Sequence, residues 1–248
     1  MLKLSKRLQG VANLVTAGSY IADIGTDHAY VPIFLSLNNR ISGAIAMDIR
    51  EGPLRIAEGN VCSYGLEEKV QLRLSDGFTA LVPGEVEIAV LAGMGGALMI
   101  KILREHWDVT TSLRECVLQP QSELFKVREF LLSEGFIIVK EDIVKEEDKY
   151  YPMMKVIPPK ADSIVKDSPA NQTNDSKKEW SKAELAYGKL LLEGKHLILK
   201  EFLAKELQIK TTILEHLREQ TGTQSKKRVE TLQCEIELVR EGMMYYEV

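Results

Sequence analysis

The sequence predicts an α/β protein with a Rossmann-like, mostly parallel sheet, followed by a smaller helical domain. Over the first two thirds of the chain, short apolar and β-branched runs alternate with segments of helical spacing, as is typical of βαβ units. A polar stretch then interrupts this pattern, and two apolar stripes with helical spacing occupy the last third. We therefore expect two folded parts of different class, joined by a linker.

Each element of the first part is assigned from its length and composition. An N-terminal helix that covers the sheet edge is predicted from the helical spacing of Leu4, Leu8, Val11 and Leu14. The predicted helices that follow are 30–38, 53–64, 97–106 and 123–134. The predicted strands are 20–24, 43–48, 70–75, 88–92 and 116–119, with 136–144 and 150–157 as a closing antiparallel hairpin.

A domain boundary is predicted at Pro158-Pro159, where the last strand stops and a polar stretch without an apolar face begins. The expected organisation is a first domain over 1–159, a linker over 160–178 and a helical domain over 179–248. In the helical domain, a helix over 180–192 precedes two apolar stripes that flank Thr221-Gly222-Thr223. An α-helical coiled-coil hairpin would bury both stripes together.

Composition excludes several classes of protein. The chain is 45% hydrophobic and 27% charged, as in globular proteins, and no apolar run approaches the roughly 20 residues of a membrane span. Its three scattered cysteines form no CxxC pair, which suits a reducing compartment, so we expect a cytoplasmic protein without a membrane segment. His106, His196 and His216 lack partners at metal-ligand spacing, so no metal is expected.

The net charge of -4 hides a local excess of positive charge, because residues 177–228 carry twelve Lys and Arg against seven Glu. Such a stretch can bind phosphates on an acidic protein, since salt confines surface electrostatics to about 10 Å. A solvated helical face rich in Lys and Glu is the alternative.

The strongest local signal is the octapeptide Asp23-Ile24-Gly25-Thr26-Asp27-His28-Ala29-Tyr30, where the first predicted strand turns into its helix. Ligands of open α/β sheets bind at such carboxyl ends. Gly25 would let the backbone approach a ligand closely, and Asp23 could receive a cationic amino group. The sequence is not the dinucleotide fingerprint GxGxxG, and a tight turn with Asp27 as helix N-cap is the alternative.

Acidic residues also end the next two predicted strands. Asp48 could accept both hydrogen bonds of a ribose diol, and Asp76 could receive an adenine amino group. Each could instead be a cap or turn residue. Together with Asp23 they match one ligand, adenosine with an attached amino acid, which predicts S-adenosylmethionine as the cofactor.

The fourth predicted strand ends in Ala92-Gly93-Met94-Gly95-Gly96, a turn with few side chains to obstruct a methyl donor or acceptor. We expect Gly93 to lie against the cofactor. Enzymes that methylate the exocyclic amine of adenine use Asn-Pro-Pro-Tyr at this turn. Its absence argues for another acceptor atom, although a glycine-rich helix start chosen for tight packing would look the same.

Taken together, these segments resemble the bacterial tRNA adenine-N1 methyltransferases that modify position 22. The resemblance covers nearly the full length and is carried by Leu4-Ser5-Lys6-Arg7-Leu8, residues 23–30, residues 92–96 and Leu118-Gln119-Pro120-Gln121. It implies a class I methyltransferase domain followed by a coiled-coil hairpin, S-adenosylmethionine as cofactor and tRNA as partner. It also implies that Lys6, Arg7 and Met94 lie on the substrate side.

Methylation at N1 would need positioning more than proton abstraction, because N1 of adenine is an unprotonated nucleophile at neutral pH. The product base is a cation, so a carboxylate, Asp27, is expected to stabilise it, while His28 or Tyr30 orients or stacks the base. Gln119 could contact the Watson–Crick edge. The alternatives are an N-cap for Asp27, a structural imidazole for His28 and local backbone bonding for Gln119.

Two other functions remain open from the sequence. A methyltransferase for another nucleobase or a small molecule would keep the cofactor site and change the acceptor pocket. A non-catalytic adaptor would sense the cofactor and bind a protein through the hairpin. The open turn at residues 92–96 argues for catalysis, since a sensor has no need of it.

Overall fold

The computed structural model of the chain describes residues 2–160, 179–218 and 223–247. Two compact units are present, Met1–Asn174 and Asp175–Val248. Residues 161–178, which make up nearly all of the predicted linker, and residues 219–222, which include most of the predicted turn, lie outside the described residues. The domain limits at 159 and 179 therefore stay predictions.

A seven-stranded mixed sheet organises the first unit, in the order β3-β2-β1-β4-β5-β7-β6. Strands β1 to β5 are parallel, whereas β7 runs antiparallel to both β5 and β6. The predicted parallel sheet with a closing antiparallel hairpin is thus confirmed. The strands are β1 Tyr20–Ile24, β2 Gly43–Asp48, β3 Val70–Leu74, β4 Ile88–Met94, β5 Glu115–Pro120, β6 Ile137–Glu146 and β7 Lys149–Ile157.

Helices connect the parallel strands and cover the sheet. The N-terminal helix begins after Ser5, whose hydroxyl accepts a hydrogen bond from the Leu8 N–H at 3.3 Å, as an N-cap does. It packs against β5, β6 and β7. Because β6 is an edge strand, the helix covers one edge of the sheet, as the sequence predicts. The helices of this unit are α1 Lys6–Leu14, α2 Tyr30–Leu37, α3 Glu51–Ser63, α4 Gly96–Glu105, α5 Trp107–Ser112 and α6 Leu124–Ser133.

The helix α5 was not predicted. It is only six residues long and contains the β-branched run Val109, Thr110 and Thr111, so it offers no apolar stripe of helical period. Thr110 is fully buried and its hydroxyl donates to the Leu103 carbonyl at 2.8 Å, which fixes α5 against the end of α4.

The main core lies between the sheet and helices α1 to α3. Ile21, Val90 and Val117 from three strands are fully buried there together with Val11 and Ile33 from the helices. At about 25 cal/mol per Å² of apolar surface, burial of such side chains is the main term that holds the helices to the sheet. The strand ends that face the site are therefore rigidly placed.

The strand order reverses between β1 and β4. From β1 the chain proceeds outward through β2 and β3, then returns to the other side of β1 with β4. At such a switch point the connections leave in opposite directions and open a crevice outside the carboxyl ends of the strands.

The described part of the second unit contains four helices, α7 Lys182–Tyr187, α8 Lys189–Glu193, α9 Leu197–Arg218 and α10 Thr223–Met244. The helix predicted over 180–192 is divided in two, because Gly188 adopts a left-handed φ of 96°. Leu214 packs on Leu232 and Ile236, while Leu203 lies beside Gly242. The start of α9 thus meets the end of α10, and the two helices run antiparallel.

A buried ion pair joins α6 to β6 in the first unit. Arg128 Nε donates to Glu141 Oε1 at 2.8 Å, and the two side chains are 1% and 0% exposed. Removing one partner of such a pair leaves a charge that water cannot reach.

We expect Glu141→Gln to lower the free energy of unfolding by about 3 to 5 kcal/mol, the usual cost of removing one partner of a buried ion pair. Urea denaturation measures it. Glu51→Gln serves as the control, because the Glu51–Arg55 pair is exposed and should contribute less than about 1 kcal/mol. Equal losses in the two variants would contradict the assignment.

Candidate functional site

An open cleft of about 420 Å³ lies at the carboxyl ends of β1, β2 and β4. We call it the strand-end cleft. Ten of the residues singled out in the sequence line it: Arg7, Asp23, Gly25, Asp27, His28, Tyr30, Asp48, Asp76, Gly93 and Met94. The fold therefore brings together residues that are up to 87 positions apart, counted from Arg7 to Met94.

Asp23 and Gly25 form the floor of the strand-end cleft at the end of β1. Asp23 is 5% exposed and Oδ2 accepts a hydrogen bond from the Thr26 hydroxyl at 2.6 Å. Burial raises the pKa of Asp23 to about 6, and the nearby Asp48 carboxylate adds to the rise. Gly25 has a φ of +70°, and a Cβ there would lie 3.4 Å from the Met94 methyl group.

Asp48 is buried and held by two backbone groups. Its Oδ1 accepts from the Arg50 N–H at 3.0 Å, and its Oδ2 accepts from the Asp27 N–H at 3.3 Å. Because each carboxylate oxygen has a second lone pair, both can still accept a hydrogen bond from a ligand. The backbone donors fix the plane of the carboxylate.

The turn between β1 and α2 projects the Asp27 carboxylate towards solvent. Asp27 and Ala29 have left-handed φ values of 55° and 59°, and Ala29, not Asp27, is the N-cap of α2. The alternative role of Asp27 as N-cap is therefore not what the structure has. Its side chain is 63% exposed, with Oδ1 3.6 Å from His28 Nε2.

His28 packs edge-on against Tyr30, with ring centroids 5.5 Å apart. The backbone carbonyl of His28 accepts from Asn60 Nδ2 at 3.0 Å, which ties this turn to α3. Tyr30 is 36% exposed, so part of its ring faces the cleft.

A β-bulge at Gly93 shapes the opposite wall. The register of β4 against β5 shifts between Ala92 and Met94, and Gly93 has a φ of +85°. A Cβ at Gly93 would lie 3.1 Å from Arg7 Nη1, so glycine lets the guanidinium approach the backbone.

Gln119 does not line the strand-end cleft, but it forms a hydrogen bond with Arg7, which does. It is fully buried, its Oε1 accepts from Arg7 Nη1 at 3.1 Å, and its Nε2 donates to the Pro120 carbonyl at 3.3 Å. Gln119 thus supports Arg7, and its direct contact with a base stays a prediction. Lys6 is exposed outside the lining, and its backbone N–H donates to Glu146 Oε1 at 2.7 Å.

Sequence reasoning missed several residues of the strand-end cleft. Ile49 and Leu98 are apolar yet 59% and 45% exposed, and Gln121 stands where Gln119 was expected. Ile49 directly follows Asp48 at the end of β2, and that position was an available signal. Leu98 lies in the first turn of α4 and has no such signal beside it.

Neither a metal centre nor a membrane span is found among the described residues. No group of three or more His, Cys, Asp or Glu side chains there is placed to hold a metal ion. No helix in the described part of the chain is long and apolar enough to cross a membrane.

A Rossmann-like sheet with acidic residues at successive strand ends is the arrangement expected of a methyltransferase domain, and comparison with known proteins agrees. The protein-family model described as "Methyltransferase domain" matches residues 4–154. That match includes every residue that lines the strand-end cleft.

A relative in sequence shows which methyltransferase family the chain belongs to. The Bacillus subtilis tRNA (adenine(22)-N(1))-methyltransferase is 34% identical over 97% of this chain and 97% of its own length. The chain therefore belongs to the family of tRNA (adenine(22)-N(1))-methyltransferases.

Two solved structures with bound ligands share the fold. A Streptococcus pneumoniae protein, crystallised in complex with S-adenosyl-L-methionine, is 29% identical with a TM-score of 0.81, over 97% of this chain and 100% of that chain. M. capricolum TrmK, in complex with S-adenosyl-homocysteine, is 26% identical with a TM-score of 0.79, over 98% of each chain.

The raised pKa of Asp23 predicts a stability effect. A carboxyl with a folded pKa of about 6 and an unfolded pKa near 3.9 contributes stability that is fully present below about pH 4 and is lost as the pH rises through 6. Asp23→Asn should therefore raise the free energy of unfolding of the protein without ligand, by about 3 kcal/mol at pH 7.5 and about half of that at pH 5.

Urea denaturation at the two pH values measures this difference. Asp108→Asn, at an exposed carboxylate on α5, is the control for the removal of one surface charge. An Asp23→Asn protein no more stable than wild type at pH 7.5 would rule out the cost assigned to the buried carboxylate.

Proposed function

We propose that the chain transfers a methyl group from S-adenosylmethionine to N1 of an adenine in tRNA, at position 22 as in the relative's name. The observation that carries the proposal is the convergence of Asp23, Gly25, Asp48 and Asp76 on one cleft. Two solved structures of the same fold, in complex with S-adenosyl-L-methionine and S-adenosyl-homocysteine, support it.

Asp23 is the partner we assign to the amino group of the cofactor. Burial makes ionisation of this carboxyl costly, and an ammonium group beside it would offset that cost. Gly25 and Gly93 both line the strand-end cleft, and both adopt left-handed φ values that favour glycine. The residues present therefore fit the cofactor.

Asp48 and Asp76 are assigned to the nucleoside. The free lone pairs of Asp48 suit the two hydroxyls of a ribose, and the exposed Asp76 suits an adenine amino group. Ile49 and Leu98 present apolar surface to the same cleft, which favours an aromatic base between them.

The reaction at the acceptor atom requires mainly that the base be correctly oriented. Bound S-adenosylmethionine would supply an electrophilic methyl group on its sulfonium. N1 of adenine needs no base to attack it, so the residues around the acceptor act mainly by orientation, for which effective molarities of order 10⁵ M are known.

Positive charge develops on the base as the N1–methyl bond forms. Asp27, whose carboxylate is 63% exposed in the strand-end cleft, is assigned to stabilise that charge. His28 and Tyr30 are assigned to orient and stack the base. The edge-on contact between their rings keeps the two side chains in a fixed relation.

The remaining residues singled out from the sequence are assigned to the RNA side. Arg7 is held by Gln119 and lies 5.8 Å from the Tyr151 ring centroid, so its guanidinium is oriented before RNA binds. Met94 lines the cleft beside Gly25, and Lys6 offers a charge outside it. Gln119 acts through Arg7.

We assign the second unit to RNA backbone contacts. Helices α9 and α10 bury Leu214, Leu232 and Ile236, and we propose that they form the predicted coiled-coil hairpin within a domain over 179–248. Exposed lysines of this unit, which include Lys195 and Lys200, can pair with phosphates. We assign the reaction to the cytoplasm, where tRNA modification is expected, without a membrane or a metal.

Asp48→Ala should weaken S-adenosylmethionine binding about 5- to 150-fold, the equivalent of about 1 to 3 kcal/mol for a lost buried hydrogen-bonding partner. Isothermal calorimetry measures the affinity. Asp108→Ala, at an exposed carboxylate outside the lining of the strand-end cleft, is the matched control and should bind as wild type does. An unchanged affinity in Asp48→Ala would remove the ribose assignment.

Asp27→Asn should keep S-adenosylmethionine affinity within about twofold while it lowers kcat roughly 10- to 100-fold, because the charge that stabilises the cationic product is lost. Transfer of a radiolabelled methyl group to tRNA gives the rate, and nucleoside digestion identifies the product as 1-methyladenosine. Direct formation of N6-methyladenosine by the wild-type enzyme would contradict the acceptor assignment.

Replacing Lys195, Lys200 and Lys205 with Gln should weaken tRNA binding and reduce the slope of log affinity against log salt, by up to about 0.7 to 0.9 for each phosphate that is no longer neutralised. Filter binding across a salt series measures both. Gln at Lys69, Lys101 and Lys149, which are exposed on the first unit, is the control. Equal slopes in the two variants would assign the hairpin to another task.

A further inference from the structure

A second cleft adjoins the strand-end cleft and is not explained by the function proposed above. It is formed by the N-terminal segment 2–5, the first turns of α1 and α2, and one face of α3, and it has a volume of about 420 Å³. Leu8 and Tyr30 line both clefts, so the two are adjacent. We call the second one the α1–α3 cleft.

Aromatic surface is exposed in the α1–α3 cleft. Tyr64 caps the end of α3 and is 37% exposed, and Tyr30 is 36% exposed on the side shared with the strand-end cleft. Among the described residues, the Tyr64 side chain has no hydrogen-bonding partner. An exposed tyrosine ring at a cleft wall is a surface on which a base can stack, whatever its identity.

The charge of the α1–α3 cleft differs from that of its neighbour. Its lining contains one charged side chain, the exposed Lys3, and no carboxylate, whereas the strand-end cleft is lined by two arginines, Arg7 and Arg50, and by four carboxylates that outnumber them, Asp23, Asp27, Asp48 and Asp76. A phosphate would be repelled by those carboxylates but attracted by Lys3. The occupant that suits the α1–α3 cleft therefore has an aromatic group and a negative charge.

A hydrogen bond connects a residue in the wall of one cleft to the backbone in the wall of the other. Asn60, which lines the α1–α3 cleft, donates to the backbone carbonyl of His28 in the wall of the strand-end cleft at 3.0 Å. A group held against α3 would therefore be held in a fixed relation to the turn that carries Asp27 and His28.

We propose that the α1–α3 cleft binds a nucleotide that neighbours the target adenosine in the RNA, with its base stacked on Tyr64 and its phosphate beside Lys3. The proposal rests on the proposed function, since it takes RNA as the substrate. Anchoring a neighbouring nucleotide would favour the extruded target, because exposing a base from stacked RNA costs a few kcal/mol.

The first test compares Tyr64→Ala with Tyr64→Phe. Stacking needs the ring but not the hydroxyl, so Tyr64→Ala should raise Kd and KM for tRNA roughly tenfold, whereas Tyr64→Phe should match wild type. Affinity for S-adenosylmethionine should be the same in all three proteins. Thermal unfolding checks that both variants fold, and a weakened Tyr64→Phe or an unaffected Tyr64→Ala would overturn the proposal.

The second test removes the partner base instead. Two tRNA transcripts carry an abasic site immediately 5′ or 3′ of the target adenosine. One of them should bind wild type roughly tenfold more weakly than intact tRNA and show no such loss with Tyr64→Ala, since the stacking partner is already absent. Equal losses with both proteins, or none with either transcript, would overturn the proposal.

Charge is tested with Lys3→Gln, and Lys69→Gln is the control at an exposed position before β3. Only Lys3→Gln should reduce the salt slope of tRNA binding, by about one. Equal slopes would overturn the phosphate assignment. Filter binding requires no turnover, so these results are separate from the nucleoside analysis, in which absence of 1-methyladenosine would instead contradict the proposed function.

Discussion

The strand-end cleft depends on two carboxylates that are kept out of water at neighbouring strand ends. Asp23 and Asp48 are each 5% exposed, and the Asp48 carboxylate adds to the cost of ionising Asp23. The fold tolerates them because Thr26 and two backbone N–H groups bond to their oxygens and the core beneath is rigid. Such a site is preorganised for a cation and hydroxyls, at the expense of the free protein's stability.

The opposite wall is organised by contacts between distant parts of the chain. The bulge at Gly93 makes room for the Arg7 guanidinium, and the buried Gln119 fixes it there. Gln119, which the sequence predicts as a base contact, thus contacts Arg7 and does not itself line the cleft. Loss of Gln119 would leave Arg7 in place but free to turn, which is how a buried residue influences a surface it does not touch.

Much of the fold could be predicted because parallel strands have a strong local signature. β1 and β2 match their predicted limits, and Asp23, Asp48 and Asp76 could be placed at strand ends from position alone. What depends on tertiary contact could not. The Arg7–Gln119 hydrogen bond spans 112 positions. Ala29, which has a left-handed φ, is the N-cap of α2 in place of Asp27. No local pattern encodes either feature.

The opposite polarity of the two adjoining clefts has a consequence for inhibitor design. On one side of Tyr30 four aspartates outnumber Arg7 and Arg50, and on the other side Lys3 is the one charged residue of the lining, so a zwitterion that bridges both clefts would favour one orientation. Its cationic end belongs beside Asp23 and its anionic end beside Lys3. A compound with the reverse order would meet like charge at both ends, a form of selectivity that shape alone would not provide.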